Sequence, residues 1–128
     1  MGNAVITGMG IVSCIGNSVD EVTESLKKGQ SGIIFNEKYR DMGFRSHVSG
    51  SIDLDVTELI DRKTLRFMSK AAAYAYIASN QALMQANIEI SNLDRSRIGV
   101  VAGSGGASPA AQIVACLLYT SDAADDSL

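Results

Sequence analysis

Two short apolar runs, one near each end of the sequence, have the pattern of buried β-strands. Ala4-Val5-Ile6-Thr7 is followed by a glycine, and residues 97–103 read Arg-Ile-Gly-Val-Val-Ala-Gly. Short continuous runs rich in β-branched residues favour strands that are covered on both faces, because a helix of this composition needs more length. We therefore predict one buried strand at 4–7 and a second at 97–103.

Helix signals lie between these two runs. Ser18 and Glu21 have the spacing of a capping box, and Gly29 follows two lysines that suit the last turn of a helix. The residues between the two signals carry one apolar stripe, formed by Val19, Val22 and Leu26. This pattern predicts a helix over 19–28.

A longer helix is predicted from Leu65 to about Ala86, with Asn87 just beyond its end. Its apolar side chains fall on nearly all sides, which indicates a helix that is buried between layers of a larger body. The order strand, helix, helix, strand along the chain indicates an α/β layered fold.

The region between these helices gives weaker signals. Residues 55–58 (Asp-Val-Thr-Glu) form a second capping pattern, which predicts a brief helix to Ile60. Residues 30–54 have a loop-like composition, with one short strand expected at about 46–52. No internal repeat is present over this length.

Composition places the chain among ordinary globular proteins. It has 128 residues, of which 46% are hydrophobic and 20% charged, and its net charge is −3 at pH 7. This is enough apolar material for a core, and no apolar run is long enough to cross a membrane. The slightly acidic balance argues against non-specific nucleic-acid binding. The length suits one domain or a piece of a larger one.

Cysteine and histidine are scarce. Cys14 and Cys116 form no CxxC motif, and His47 is the only histidine, so neither a disulfide framework nor a zinc site is expected. The first residues lack the basic start and apolar stretch of a signal peptide, which favours a reducing cytoplasm. We expect Cys14 to be a small buried hydrophobe and His47 to be a solvated or locally hydrogen-bonded loop residue.

Gly8-Met9-Gly10, directly after the first predicted strand, invites comparison with dinucleotide-binding turns. That fingerprint requires G-x-G-x-x-G before a helix, so that backbone amides and the helix N-terminus reach a pyrophosphate. Here Ser13 replaces the third glycine, and the helix begins only near residue 19. Glycines that serve a tight turn are the favoured interpretation. An oxidoreductase half-domain built on this turn stays an alternative.

Several segments, taken in order, resemble one known family. They are Ala4–Asn17, Ser31–Ile33, Arg45–Gly50, Leu59–Lys63, Arg66–Ser69 and Arg97–Pro109. They follow one another in the order found in the 3-oxoacyl-[acyl-carrier-protein] synthases, which are condensing enzymes of the thiolase-like fold. The resemblance to this family extends over residues 3–115 almost without insertions or deletions. Ser46-His47 and Asp61-Arg62-Lys63 resemble the type I synthases in particular.

This resemblance implies the N-terminal part of an acyltransferase of fatty-acid biosynthesis, homodimeric in its complete form. The family condenses an acyl thioester with malonyl-carrier protein and releases CO₂. Its nucleophilic cysteine, two histidines and lysine fall downstream of residue 109. The resemblance therefore implies no catalytic residue, no metal and no cofactor in this chain, and the chain alone is expected to be inactive. A non-catalytic binding module of the same fold is the other alternative.

One basic cluster matches a functional surface of the family. Arg62, Lys63 and Arg66 match positions that contact the acidic acyl carrier protein, and residues 62 and 66 share one face of a helix. A basic patch steers and docks an acidic partner. The alternative is an ordinary solvated helix start, paired with Asp61 or Glu58.

A glycine-rich loop matches a second functional region. Gly106 and Ala107 lie in Gly103–Pro109, which in the family runs toward the acyl pocket and the dimer interface. No lysine follows in the spacing of a phosphate-binding loop. The alternative is a plain strand-to-helix turn.

The last residues of the chain change in character. Cys116 to Asp125 resembles the conceptual translation of a transposon-based sequencing adapter. We therefore expect residues 1–115 to be the incomplete N-terminal part of the synthase domain and residues 116–128 to be a non-native tail. The alternative is a genuine acidic tail.

Overall fold

A computed structural model describes residues 2–66, 68–89, 91, 93–106, 108–113 and 116–117 of the chain. The elements in chain order are helix α1 (Val19–Lys28), strand β1 (Ile33–Phe35), helix α2 (Glu37–Asp41), strand β2 (Val48–Gly50), helix α3 (Arg62–Leu65) and helix α4 (Lys70–Gln85), followed by a 3-10 turn at Arg95–Arg97. The fold is therefore mixed, with helices and one small antiparallel sheet.

Helix α1 has the bounds that the sequence predicts. The Ser18 hydroxyl accepts a hydrogen bond from the Glu21 N–H (3.2 Å), and the Glu21 carboxylate accepts from the N–H of Asn17 (2.7 Å), one residue earlier than a standard capping box. Gly29 ends the helix with a φ of 63°, and its N–H donates to the Leu26 carbonyl. A left-handed residue of this kind is where glycine is favoured.

The two strands form an antiparallel pair. Ile33 lies opposite Gly50, and Phe35 lies opposite Val48. The strand predicted at 46–52 is thus confirmed in a shorter form. In contrast, β1 and α2 form in a region whose composition predicts a loop. Asn36 accounts for this difference, because its side chain accepts from the Tyr39 N–H and so begins α2 directly after β1.

The prediction of strands at 4–7 and 97–103 is wrong for this structure. Both segments are irregular, and within the described residues neither has a ladder partner. Ile6 is 85% exposed and Val100 is 88% exposed. A strand exists only where a neighbour takes up its N–H and C=O groups, so an apolar run without one stays irregular. The helices and the small antiparallel sheet of the described residues are nevertheless compatible with part of an α/β domain, and the layered arrangement stays a prediction.

The brief helix predicted at 55–60 is a turn. The Asp55 carboxylate accepts hydrogen bonds from the Thr57 N–H (2.9 Å) and the Thr57 hydroxyl (2.6 Å). The Ile60 N–H donates to the Val56 carbonyl (3.0 Å), which closes one turn. Aspartate therefore stabilises a turn here rather than the start of a helix.

The long predicted helix begins later than expected. Helix α3 ends at Leu65, and α4 begins only at Lys70, where the Ser69 hydroxyl accepts from the Ala72 N–H (3.2 Å). Asn87 follows the end of α4 with a φ of 53°, as expected for a residue just past a helix. In this chain the buried residues of α4 are Ala73 and Ile77, and Met84 is exposed. The burial of α4 between layers of a larger body stays a prediction.

The core lies where α4 meets the turn before α3. Ile60, Ala73 and Ile77 are its buried residues, and partly buried apolar side chains pack around them: Val12, Leu54, Val56, Leu65 and Met68. The cluster is small, and among the described residues no large side chain is completely buried. The core nevertheless anchors the segment that leads into α3 onto α4.

The segment before α1 is held against α4 by two glutamines one turn apart. The Met9 N–H donates to Gln85 Oε1 (2.6 Å), and the Ile11 N–H donates to Gln81 Oε1 (3.0 Å). Gln81 Nε2 in turn donates to the Asn17 carbonyl (2.7 Å). These side chains accept from alternate backbone amides of a segment that, among the described residues, pairs with no strand. Within the described part of the chain, no helix has the length and hydropathy needed to cross a membrane.

Candidate functional site

The basic cluster is built on α3 and its cap. Asp61 precedes the helix, and its Oδ2 accepts from the Lys63 N–H (3.1 Å), the Thr64 N–H (3.2 Å) and the Thr64 hydroxyl (3.4 Å). Arg62 and Lys63 lie in the first turn of α3. Arg66 is the C-cap residue, and its N–H donates to the Arg62 carbonyl (3.2 Å). The helix therefore brings all three predicted cations into a single turn.

Arg62 and Arg66 line a groove on the protein surface. Its volume is about 830 Å³, and it is lined by Thr57, Ile60, Arg62, Leu65 and Arg66. Both arginines are exposed, whereas Ile60 is only 5% exposed and Leu65 is half-buried. We call this the basic groove. It combines two guanidinium groups with an apolar floor that the core holds in place.

Lys63 is exposed but does not line the basic groove. It follows Arg62 on a turn with 3.6 residues per revolution, so the two side chains leave the helix about 100° apart. Lys63 therefore adds to the positive field around the groove rather than to its lining. The structure groups Arg62 with Arg66 as their spacing predicts and sets Lys63 beside them.

Asp55 lies at the turn that leads toward the basic groove. The Thr57 hydroxyl and, second to it, the Thr57 backbone N–H donate to its carboxylate and lower the pKa of Asp55. Hydrogen bonds of this kind favour the charged form of a carboxyl group. The turn thus holds an ionised carboxylate close in sequence to Thr57, which lines the groove.

Gly106 lies in a second groove, between the glycine-rich loop and α4. The groove has a volume of about 690 Å³ and is lined mainly by small residues, among them Ala72, Ala75 and Gly106. The Ser104 hydroxyl donates to the Gly106 carbonyl (2.8 Å) and thereby closes a tight bend. A Cβ added at Gly106 meets no atom within 4 Å. Ala107, its partner in the predicted site, lies outside the described residues.

Cys14 and His47 both pack locally. Cys14 is half-buried, and a Cβ added at Gly50 would lie 3.0 Å from its Sγ atom, so the thiol packs closely against β2. His47 is also half-buried. Its ring meets Phe35 edge-on with centroids 6.0 Å apart, and its carbonyl accepts from the Asn36 N–H (2.7 Å). Within the described residues, no three histidine, cysteine or carboxylate side chains are grouped to hold a metal ion.

The glycines at 8 and 10 serve helix packing. A Cβ on Gly8 would clash with the Ala82 carbonyl oxygen, and one on Gly10 would clash with the Ala78 carbonyl oxygen. Both glycines thus let the backbone lie against α4. The N-terminus of α1 is not at this turn, because α1 begins at Val19. The geometry differs from a dinucleotide fingerprint, in which the glycines open the helix that binds the phosphates.

A comparison with known protein families identifies the chain's relatives. The sequence model of the beta-ketoacyl synthase N-terminal domain matches residues 2–124. The chain belongs to the beta-ketoacyl synthase family. This confirms the resemblance that the ordered motifs indicate.

Curated beta-ketoacyl synthases match the chain over most of its length. The 3-oxoacyl-[acyl-carrier-protein] synthase 1 of Escherichia coli (strain K12) is 50% identical over 114 residues, which is 88% of this chain and 28% of the relative. Synthase 1 of Haemophilus influenzae is 47% identical over 91% of this chain and 29% of its own. Synthase 2 of Vibrio harveyi is 37% identical over 79% of this chain and 25% of its own. The chain thus spans little more than a quarter of these relatives.

Two features of the basic groove are not predicted from the sequence. The apolar floor of Ile60 and Leu65 depends on the way α3 packs on α4, which no local pattern reveals. From the sequence, Asp61 is expected only as an ion-pair partner of the basic cluster. In the structure it is the N-cap of α3. Its signal is an aspartate directly before a short helical segment, a position at which aspartate is favoured.

Proposed function

We propose that this chain is the N-terminal part of a 3-oxoacyl-[acyl-carrier-protein] synthase that elongates fatty acids. The complete enzyme joins an acyl thioester to malonyl-carrier protein, with loss of CO₂. The observation that carries the proposal is the family match over residues 2–124, together with 50% identity to a curated synthase 1. We expect the complete enzyme to be a cytoplasmic homodimer with the thiolase-like layered fold.

Condensation needs groups that this chain does not supply. A thiolate must take the acyl group, because a thiol is a poor nucleophile at neutral pH, and hydrogen-bond donors must face the oxyanion that develops. The family resemblance assigns neither role to Cys14 or to His47, and both side chains pack locally. We therefore expect the chain alone to be inactive and the chemistry to be completed by residues beyond those present here.

We propose that Arg62, Lys63 and Arg66 dock the acyl carrier protein in the complete enzyme. The support is the basic groove, in which exposed arginines stand over an apolar floor. Complementary charge speeds the encounter with an acidic partner, and an apolar floor adds contact area once the partner is seated. The groove thereby suits an acidic protein better than a small neutral ligand.

We propose a second role for the loop that contains Gly106 and Ala107, as part of the acyl pocket and the dimer interface of the complete enzyme. The open space around Gly106 is the support, because a pocket for an acyl chain needs small residues along its wall. We further propose that residues 116–128 are an adapter-derived tail, because Cys116 to Asp125 resembles a translated sequencing adapter. The family match runs to residue 124 and therefore overlaps most of this segment.

The docking proposal is tested by reversing the three charges in the complete synthase that contains this segment. The triple variant Arg62→Glu, Lys63→Glu, Arg66→Glu is compared with the unsubstituted enzyme on a carrier-bound acyl substrate and on a minimal pantetheine thioester. We expect kcat/KM for the carrier-bound substrate to fall at least about tenfold, because the three charges steer one encounter together. Turnover of the small thioester should be nearly unchanged.

Two outcomes would contradict docking. An equal loss on both substrates would mean that the cluster stabilises the fold, and no loss on either would mean an ordinary solvated helix face. Added salt provides an internal check. The advantage of the unsubstituted enzyme over the triple variant should shrink as salt rises above ~0.1 M, where exposed charges are screened within about 10 Å.

A further inference from the structure

The cap of α3 places a negative charge inside the basic cluster. Asp61 is exposed and lies next to Arg62 in sequence, and its Oδ2 atom accepts three hydrogen bonds from the first turn of α3. An acidic partner that approaches Arg62 therefore also approaches a carboxylate. By charge alone, Asp61 weakens the surface on which it lies.

The same carboxylate stabilises α3. The helix has only four residues, Arg62–Leu65, and the first turn of a helix is unfavourable because several residues are fixed for one backbone bond. A cap that satisfies amides of this turn offsets that cost. Asp61 bonds to both the Lys63 and Thr64 amides, so it stabilises the turn that carries two of the three cations.

We propose that Asp61 is the positioning residue of the basic groove. It holds α3 in the helical form that sets Arg62 and Arg66 along one groove. The affinity for an acidic partner that this ordering adds exceeds the affinity that the charge of Asp61 removes by repulsion. The inference rests on the proposed role of the groove as the carrier-protein dock, and it adds a residue that the docking surface needs without contact to the partner.

Two substitutions at position 61 separate the cap from the charge. Asparagine and alanine both remove the charge, but only asparagine keeps an oxygen that can accept from the Lys63 and Thr64 amides. We expect Asp61→Asn to bind an acyl carrier protein up to about twofold more tightly than the unsubstituted synthase, because one exposed repulsion is removed. We expect Asp61→Ala to bind about fivefold more weakly than Asp61→Asn, because the ordered form of α3 is less populated.

Binding is measured with the complete synthase against a purified acyl carrier protein at low salt, and backbone amide shifts of Lys63 and Thr64 report whether α3 is formed. Asp94→Ala is the matched control. Asp94 is also exposed and accepts from the N–H and the hydroxyl of Ser96, two residues on. It removes the same charge outside the cluster, so it should leave both amide shifts and the carrier-protein affinity nearly unchanged.

Steady-state kinetics of the same variants in the complete synthase guard against effects on folding. Asp61→Ala should raise KM for the carrier-bound substrate about fivefold relative to Asp61→Asn, with equal turnover of a pantetheine thioester. If the two variants behave alike in binding and in KM, Asp61 does not position the groove and the inference is wrong. If the triple charge reversal leaves carrier-protein binding unchanged, the docking function itself fails, and this inference falls with it.

Discussion

At the scale of single residues, two exposed aspartates in different parts of the chain share one arrangement. Asp55 accepts from the N–H and hydroxyl of Thr57, and Asp94 accepts from the N–H and hydroxyl of Ser96. In each case the side-chain hydroxyl is the main cause that lowers the pKa of the carboxyl group, followed by the backbone N–H. Each aspartate therefore serves as an internal reference for the other.

Removing one hydroxyl should raise one pKa. We expect Thr57→Val to raise the pKa of Asp55 toward the ordinary value of about 3.9 while leaving it partly lowered, because the backbone N–H still donates. A carboxyl-carbon NMR titration measures the change. The pKa of Asp94 should not move in this variant, and Ser96→Ala should show the converse. Equal movement of both pKa values, or of neither, would contradict a local cause.

The lowered pKa of Asp55 also fixes the sign of its pH dependence. A carboxyl group whose pKa falls on folding stabilises the folded turn above its unfolded pKa, and this contribution is lost as the pH drops through the folded value. Amide shifts of Thr57 should therefore move toward unfolded values only in acid. In Thr57→Val the same movement should begin at a higher pH.

At the scale of elements, the contact between the N-terminal segment and α4 depends on glycine at position 10. The backbone there approaches α4 so closely that a Cβ would overlap the Ala78 carbonyl oxygen. Two glutamine side chains, Gln81 and Gln85, hold the segment in place from the same helix. The close approach and the hydrogen bonds are therefore linked, and neither persists if the segment moves away.

Gly10→Ala should release this contact. We expect a cost of ~1–3 kcal/mol, since added volume against a helix backbone forces the segment to move, and amide exchange at Met9 and Ile11 should become faster. Gly105→Ala is the matched control, because a Cβ at Gly105 meets no atom within 4 Å. Circular dichroism during urea denaturation should show an earlier loss of helix in the first variant only. An unchanged midpoint for Gly10→Ala would mean that the segment is not held against α4.

A complete set of local signals predicts an element correctly, whereas a single capping pattern does not, as the turn at 55–60 shows. Helix α1 has its cap, its basic last turn and its terminal glycine in one segment, and its bounds are predicted correctly. The strands at 4–7 and 97–103 have no such local definition, because pairing with a neighbour decides whether they form. Ser69 shows the intermediate case. A serine inside an apolar pattern is a plausible cap, but only packing decides that α4 begins there.

The basic groove divides in the same way. The grouping of Arg62 with Arg66 follows from helical spacing and is predicted. Its apolar floor is not, because Ile60 is buried by Ala73 and Ile77, which are distant in sequence. Asp61 can be identified as a cap only when it is known that α3 begins at Arg62. Tertiary packing therefore adds the apolar floor that makes a groove out of the two arginine positions.

At the scale of the whole molecule, apolar surface is abundant and the core is small. The buried hydrophobic residues in the described part of the chain are Val22, Ile60, Ala73 and Ile77. Exposed apolar side chains include both runs that have the composition of central strands, with Ile6 in the first and Val100 in the second. Because the chain spans about 28% of its synthase 1 relative, we interpret these runs as surfaces that the rest of a complete synthase covers.

This interpretation predicts that the isolated chain associates with itself. Exposed apolar runs without a partner promote association, and a net charge of −3 opposes it only weakly. We expect apparent mass in analytical ultracentrifugation to rise with concentration and thermal unfolding to be broad. A monomer with a sharp two-state transition would contradict the prediction, because such melting marks a self-sufficient domain.

The double variant Val100→Lys, Val101→Lys tests the cause of that association. Both side chains are almost fully exposed in the isolated chain, so we expect helix content to be unchanged and self-association to weaken. Val22→Lys is the contrasting control, because Val22 lies on the buried face of α1, and a charge there should reduce helix content. In the complete synthase the double variant should have the opposite effect and destabilise the enzyme, since both valines would then lie in a covered strand where an unpaired charge is costly. If the two lysines are tolerated in the complete enzyme, the run at 97–103 is surface in both settings and its interpretation as a central strand is wrong.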